Sequence, residues 1–187
     1  MDKRKEMMEV ALSESMRELM RRSLFEKITI KQICDRTGVI RATFYNHFED
    51  KYDCLNWIIW HDLIEDNIPG EHNKEYAESV EDALKCIEKN KEFYKAAFNI
   101  IGQNSFEDML RHNLKKYVKA YLDEYRKKDY LARYDNDLLA GYYANTLTYC
   151  VKVFVYDTGG KKTVSEIKQM ILDLTHHSVT DFLIQTE

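Results

Sequence analysis

The sequence predicts an all-α fold of about nine helices: an N-terminal three-helix helix-turn-helix domain followed by a larger C-terminal helical domain. Three observations predict it. The 187 residues include one Pro and six Gly, too few breakers for a fold rich in turns. Apolar residues recur three and four apart along most of the chain, the period of a helix with one buried face. Residues 29–51, TIKQICDRTGVIRATFYNHFEDK, read as two short helices around a Gly-containing turn. At 44% hydrophobic and 32% charged, the composition is that of a globular, soluble chain.

The first helix covers 3–23, with Met8, Ala11, Leu12, Ser15, Met16, Leu19 and Met20 at helical spacing. Lys3, Arg4 and Lys5 at its start either reach phosphates or form a solvated terminus. Leu24 and Phe25 close this helix onto the core. Thr29 caps the next helix, and Gln32 three residues on can return the bond, a capping box. Gly38 supplies the residue able to take positive φ at its end. Another helix then runs Arg41 to Phe48. Phe44 and Phe48, four apart, share one face, leaving Arg41, Thr43, Tyr45, Asn46 and His47 to point elsewhere. From Lys51 a connector helix reaches about residue 67, where Pro69-Gly70 stops it. Residues 70–76 mark the joint, so that 1–50 form the head and 51–187 the body with its connector 51–67.

The body is expected as helices over 77–89, 91–101, 105–127, 135–156 and 163–185. Thr163 and Glu166 form a second capping box after Gly159-Gly160. The helix containing LLAGYYANTLTYCVKVFVY is apolar nearly all round and must be covered on more than one side. Its cover is either its own monomer or a second subunit. A homodimer is expected, since a two-fold pair also presents two recognition helices. Leu139, Tyr143 and Leu147, with Ile171, Leu174 and Phe182 of the last helix, are its expected interface.

Charge is unevenly spread. Residues 1–52 hold 11 Lys and Arg against 9 Asp and Glu, a net of +2, while the rest of the chain carries −6. A mildly basic head on an acidic body suits a small nucleic-acid-binding part joined to one that stays off it. Cys34, Cys54, Cys86 and Cys150 form no CxxC and read as reduced residues of a cytoplasmic protein. The first residues lack the apolar core of a signal peptide, and no apolar run approaches the roughly 20 residues that span a bilayer. Neither metal nor cofactor is expected. Asp173 and His176 have the spacing of one carboxylate-bridged half-site, where a bundle needs two. HExxH, phosphate loops and nucleophile elbows are absent, so a helical-bundle enzyme is the competing reading without a motif behind it.

Short helix pairs with Gly turns also occur in proteins that never touch DNA. The polar side of the second helix favours the DNA reading, because Thr43, Tyr45, Asn46 and His47 offer short or rigid hydrogen-bonding groups. The stretch ITIKQICDRTGVIRATFYNHFEDKYDCL further resembles the N-terminal signature of TetR-type transcriptional regulators. Its Thr43-Phe44-Tyr45-x-x-Phe48 run and the following Lys51 carry the resemblance. YNHFEDKYDCLNWIIW is similar to the subgroup of dihydroxyacetone-kinase regulators.

The resemblance implies a regulator, not an enzyme, that binds a palindromic double-stranded DNA operator. It implies phosphate contacts for Thr29, Thr43, Tyr45, His47 and Lys51, and base reading for Lys31, Arg41 and Asn46. Ile40 departs from the small polar residue usual at that position. The resemblance also implies an effector at the body, a small molecule or a kinase-like protein partner, and repression as the commoner outcome, with an activator or an adaptor controlled by the kinase-like partner as the alternative. Among the dense body aromatics, Tyr94, Phe98, Tyr117, Tyr121 and Tyr142 are the expected pocket residues.

Overall fold

A computed structural model describes residues 3–65, 75–126, 133–157, 159 and 162–176. Among them are nine α-helices: α1 Lys3–Met20, α2 Ile30–Thr37, α3 Arg41–Tyr45, α4 Lys51–Leu63, α5 Tyr76–Lys89, α6 Lys91–Phe98, α7 Phe106–Tyr125, α8 Asn136–Val155 and α9 Val164–His176. A short 3-10 turn, Phe25–Lys27, lies between α1 and α2 and was not expected. It buries Phe25 but leaves Leu24 exposed, so only one of that pair closes onto the core. The expected Pro69-Gly70 stop, most of the 70–76 joint and Phe182 lie outside the described residues.

Local chemistry sets the helix ends. Thr29 and Gln32 form the capping box, with Gln32 N donating to Thr29 Oγ1 at 3.3 Å and Thr29 N to Gln32 Oε1 at 2.8 Å. Asp50 caps α4 through the amides of Tyr52 and Asp53. Ser105 and Asp135 likewise cap α7 and α8. Thr163 and Glu166 exchange the two bonds of the second capping box. Each such cap stabilises its helix by about 1 kcal/mol.

One hydrophobic core runs from Leu12 and Met16 on α1, through Leu55, Ile58 and Ile59 on α4, to Phe154 on α8 and Ile171 on α9. In the head α1 packs on α2, and it packs as well on the connector α4; in the body α7 lies along α8, and α5 along α9. Besides its head neighbours, α1 also packs on α6, so the head is seated directly on the body.

A buried polar cluster fixes that seat. Arg17 on α1 donates from Nη1 and Nη2 to the two carboxylate oxygens of Asp62 on α4, at 2.8 and 2.6 Å. The Tyr94 hydroxyl on α6 donates to Asp62 Oδ2 at 2.7 Å, and the Arg17 guanidinium lies 5.0 Å from the centre of the Phe93 ring. Burial alone disfavours the Arg17 charge; the hydrogen bond and charge of Asp62 outweigh it and raise its pKa. One carboxylate thus joins head, connector and body.

Candidate nucleic-acid interface and body cavity

The helix-turn-helix is shaped by one glycine and two phenylalanines. Gly38 sits at φ 78°, a conformation that costs other residues roughly 1 kcal/mol or more. This turn lets the amides of Gly38 and Val39 both donate to Cys34 O, at 2.9 and 3.0 Å. Phe44 and Phe48 anchor the back of α3, buried with their rings 5.6 Å apart. Phe48 continues onto Trp57 of α4 at 6.1 Å, and Trp57 stacks on His61 at 4.5 Å. Burying a phenylalanine side chain contributes about 1.5–3 kcal/mol, which holds α3 in place although it is only five residues long.

With its back anchored, α3 turns Arg41, Tyr45 and Asn46 to solvent, with Thr43 half-buried beside them. Arg41 makes no ion pair among the described residues, so its five donors stay available. Lys31 and Thr29 on the neighbouring helix are exposed as well. Lys31 holds Asp35 at 2.8 Å, a surface pair one helical turn apart that costs little to open. Ile40 precedes α3, 71% exposed and with no side-chain cap, as its departure from a polar residue implies.

Two residues expected at phosphates are directed elsewhere. The Lys51 ammonium donates to three backbone carbonyls, Phe25 at 2.8 Å, Ile28 at 3.1 Å and Glu26 at 3.2 Å. It lies 4.5 Å from the centre of the Phe25 ring, and burial lowers its pKa. All three of its protons are committed, closing the turn before α2. His47 leans on α1, its Nδ1 3.5 Å from Glu9 Oε1 and buried without a hydrogen-bond partner. The signature fixes where a residue lies along α3 and α4, whereas these side chains answer to carbonyls and a carboxylate over 20 residues away in sequence.

The body contains a cavity of about 300 Å³, lined by Tyr76, Tyr117, Val118, Tyr121, Leu122, Tyr143, Leu147, Thr175 and His176. It adjoins a narrower hollow of about 60 Å³ among Leu63, Ser79, Val80, Ala83, Leu84, Ile87, Leu114, Val151 and Ile171. Tyr76, Tyr117 and Leu147 border both. Burial raises the Tyr76 pKa and pushes that of Tyr117 up to about 12, so both phenols stay protonated.

Of the expected pocket residues, Tyr117 and Tyr121 line this cavity. Tyr94 and Phe98 do not: Tyr94 is consumed by Asp62, and Phe98 packs edge-on against Phe106 at 4.9 Å. Tyr142 points outward, 68% exposed. Tyr76 and His176 were missed; their signal was weak, an aromatic beside a loop and a histidine near the end of α9.

The expected interface residues also divide. Leu147 and Ile171 are buried within this chain at the cavity, and Tyr143 borders it. Leu139 is half-buried and Leu174 exposed. The outward face of α8 is instead Leu138, Tyr142, Asn145 and Tyr149. Both of these faces of α8 carry apolar side chains.

Among the described residues no cluster of His, Cys, Asp and Glu is arranged to hold a metal. No described helix is long and apolar enough to cross a membrane.

Comparison with known proteins gives these features a context. The TetR_C_8 family model, described as "Transcriptional regulator C-terminal region", matches residues 74–177. The HTH-type dhaKLM operon transcriptional activator DhaS of Lactococcus lactis subsp. lactis (strain IL1403) is 25% identical over 122 residues, 64% of this chain and 63% of that protein. The match thus takes in just under two thirds of that relative's length. Two solved structures share the fold. "Dihydroxyacetone kinase operon activator DhaS" aligns at TM-score 0.63 and 19% identity, over 88% of this chain and 94% of its own. A TetR transcriptional regulator from Streptococcus agalactiae 2603V aligns at TM-score 0.60 and 22% identity, over 91% and 94%. With a transcriptional regulator's C-terminal region spanning more than half the chain behind a helix-turn-helix head, this protein belongs to the TetR family of transcriptional regulators.

Proposed function

We propose that the protein is a sequence-specific DNA-binding regulator that acts as a homodimer on a palindromic operator. Residues 1–50 read the DNA and residues 51–187 receive the signal and pair the subunits. The observation that carries this reading is the polar face of α3, held outward by Phe44 and Phe48. Arg41 and Asn46 have the donor patterns that suit guanine and adenine edges in the major groove. Thr43 and Tyr45, with Thr29 at the start of α2, are placed to bond phosphates and fix the register. Lys31 becomes a base contact once it releases Asp35.

The outward face of α8, Leu138, Tyr142 and Tyr149 together with Leu174 on α9, is the proposed surface for the second subunit. Its apolar side chains are too numerous to leave in water on one helix. Activation is the sign we favour over repression, because the curated relative is named a transcriptional activator. The effector is a small molecule in the body cavity. Control by a protein partner is the second reading, favoured by the naming of that relative after a kinase operon.

Selection of bound fragments from random duplexes tests the proposal. The expected product is an inverted repeat with half-sites about one helical turn apart, holding two protomers. Absence of affinity for any duplex at low salt overturns it.

A further inference from the structure

The body cavity has a definite chemical character. Its outer part is walled by four tyrosines, with the Tyr76 and Tyr121 rings 6.2 Å apart. Aromatic walls of this kind favour a flat ring in offset or edge contact. Its inner hollow is bounded by the aliphatic side chains of Leu63, Val80, Leu84, Ile87, Leu114, Val151 and Ile171, which suit a short alkyl group.

Among the described residues, hydrogen-bonding side chains are few: Ser79 in the hollow, the tyrosines, and Thr175 and His176 at the mouth. Tyr76 and Tyr117 border both parts. His176 Nδ1 lies 2.7 Å from Leu172 O, a contact in which Nδ1–H donates, leaving Nε2 as an acceptor. No Lys, Arg, Asp or Glu is among the described residues lining either part. An anion brought there would lose hydration without a countercharge from the described lining residues, at a cost in free energy.

From this geometry we infer that the body cavity binds a neutral alkyl-substituted phenol or aryl alcohol, its ring among the tyrosines, its alkyl group in the aliphatic hollow and its hydroxyl bonded to the tyrosine and histidine groups. A volume near 300 Å³ equals the share of about ten waters in liquid water, which suits a molecule of roughly that many non-hydrogen atoms. The inference deepens the effector reading above and rests on it only for the consequence of binding. Leu63, which bounds the hollow, is the neighbour in sequence of Asp62. The ligand therefore sits one residue from the contact that joins head to body.

Calorimetric titration of the full chain, without DNA, tests this with three probes: 4-propylphenol, 4-propylbenzoate and dihydroxyacetone. Saturable binding of 4-propylphenol is expected, at least about tenfold tighter than the carboxylate, with no saturation by the triose. Leu122→Phe and Ala83→Phe, which fill the outer part and the hollow separately, should each weaken the phenol about tenfold while the protein still melts cooperatively. Tyr117→Phe should weaken it about threefold. The inference is overturned if no neutral phenol binds the folded chain, if the benzoate or triose binds as tightly, or if both filled variants, still folded, bind like the original. Duplex affinity of the same preparations separates the two readings. Retained DNA binding without phenol binding sinks this inference alone, whereas phenol binding without DNA affinity leaves it standing and sinks the regulator.

Discussion

Arg17 and Asp62 form a two-pronged ion pair across the junction of α1 and α4, with side chains 3% and 7% exposed. Two charges so far from water persist only when each lone pair and proton is well used. Here the Tyr94 hydroxyl takes up further capacity of the carboxylate, while Arg17 Nε is buried without a hydrogen bond, 3.2 Å from Glu14 Oε1. The head is therefore held to the body by directional bonds as well as by apolar packing.

Asp62→Asn should accordingly destabilise the fold by about 3–5 kcal/mol, the range for leaving a buried charge without its partner. Tyr94→Phe removes one hydrogen bond to a charged group and should cost about 1.5–3 kcal/mol. Urea unfolding of both variants checks the order. Equal stability of Asp62→Asn and the original protein would show that the pair does not hold the junction.

Lys51→Ala should act on the turn before α2, not on phosphate contacts. Loss of three charge-assisted hydrogen bonds to carbonyls predicts destabilisation of about 2 kcal/mol or more. The slope of DNA affinity against salt should stay unchanged, since a cation that never met a phosphate releases no counterion. A slope reduced by about one would place Lys51 on the DNA after all.

Arg41→Ala should relax preference at particular operator bases, by about 1–3 kcal/mol at the base it reads. Tyr45→Phe should weaken every duplex alike. Competition binding with single-base operator variants distinguishes the two. Uniform loss from Arg41→Ala would contradict base reading.

Acid should loosen the joint between α5 and α9. Glu81 accepts from Lys168 of α9 and pairs with Lys85, both at 2.6 Å. The hydrogen bond from Lys168 leads the causes that lower its pKa from 4.5 to about 2. A carboxylate with a depressed folded pKa stabilises fully above its unfolded pKa and loses that contribution as pH falls through the folded one. The window is therefore about pH 4.5 down to 2. Hydrogen exchange of α9 amides should rise across it, and Glu81→Gln should remove the dependence; an unchanged profile in the variant would exclude Glu81 as its source.

Much of the fold was legible because its signals are local. The Thr29–Gln32 box, the turn at Gly38 and the Phe44–Phe48 anchor each need only neighbours within four residues. What joins distant parts was not. Arg17, Asp62 and Tyr94 are separated by 45 and 32 residues, and a lone Asp on a helix reads as solvated. A signal did exist, since Asp62 falls on the same face as Leu55, Ile58 and Ile59, and Arg17 between Leu12, Met16 and Met20. Opposite charges placed in two apolar stripes are a hint of a buried pair. Cavity residues were harder, because tyrosines of core, pocket and surface share one period, and only packing separates Tyr94, Tyr117 and Tyr142.

Trp57 touches Phe48 at its near side and His61 at its far side, so the chain contains a native optical gauge of head orientation. An indole stacked on an imidazole changes its emission when that ring gains a proton or slides away. Both tryptophans lie on the connector, so label-free spectroscopy can follow the seating of α3 in real time as duplex or ligand is added.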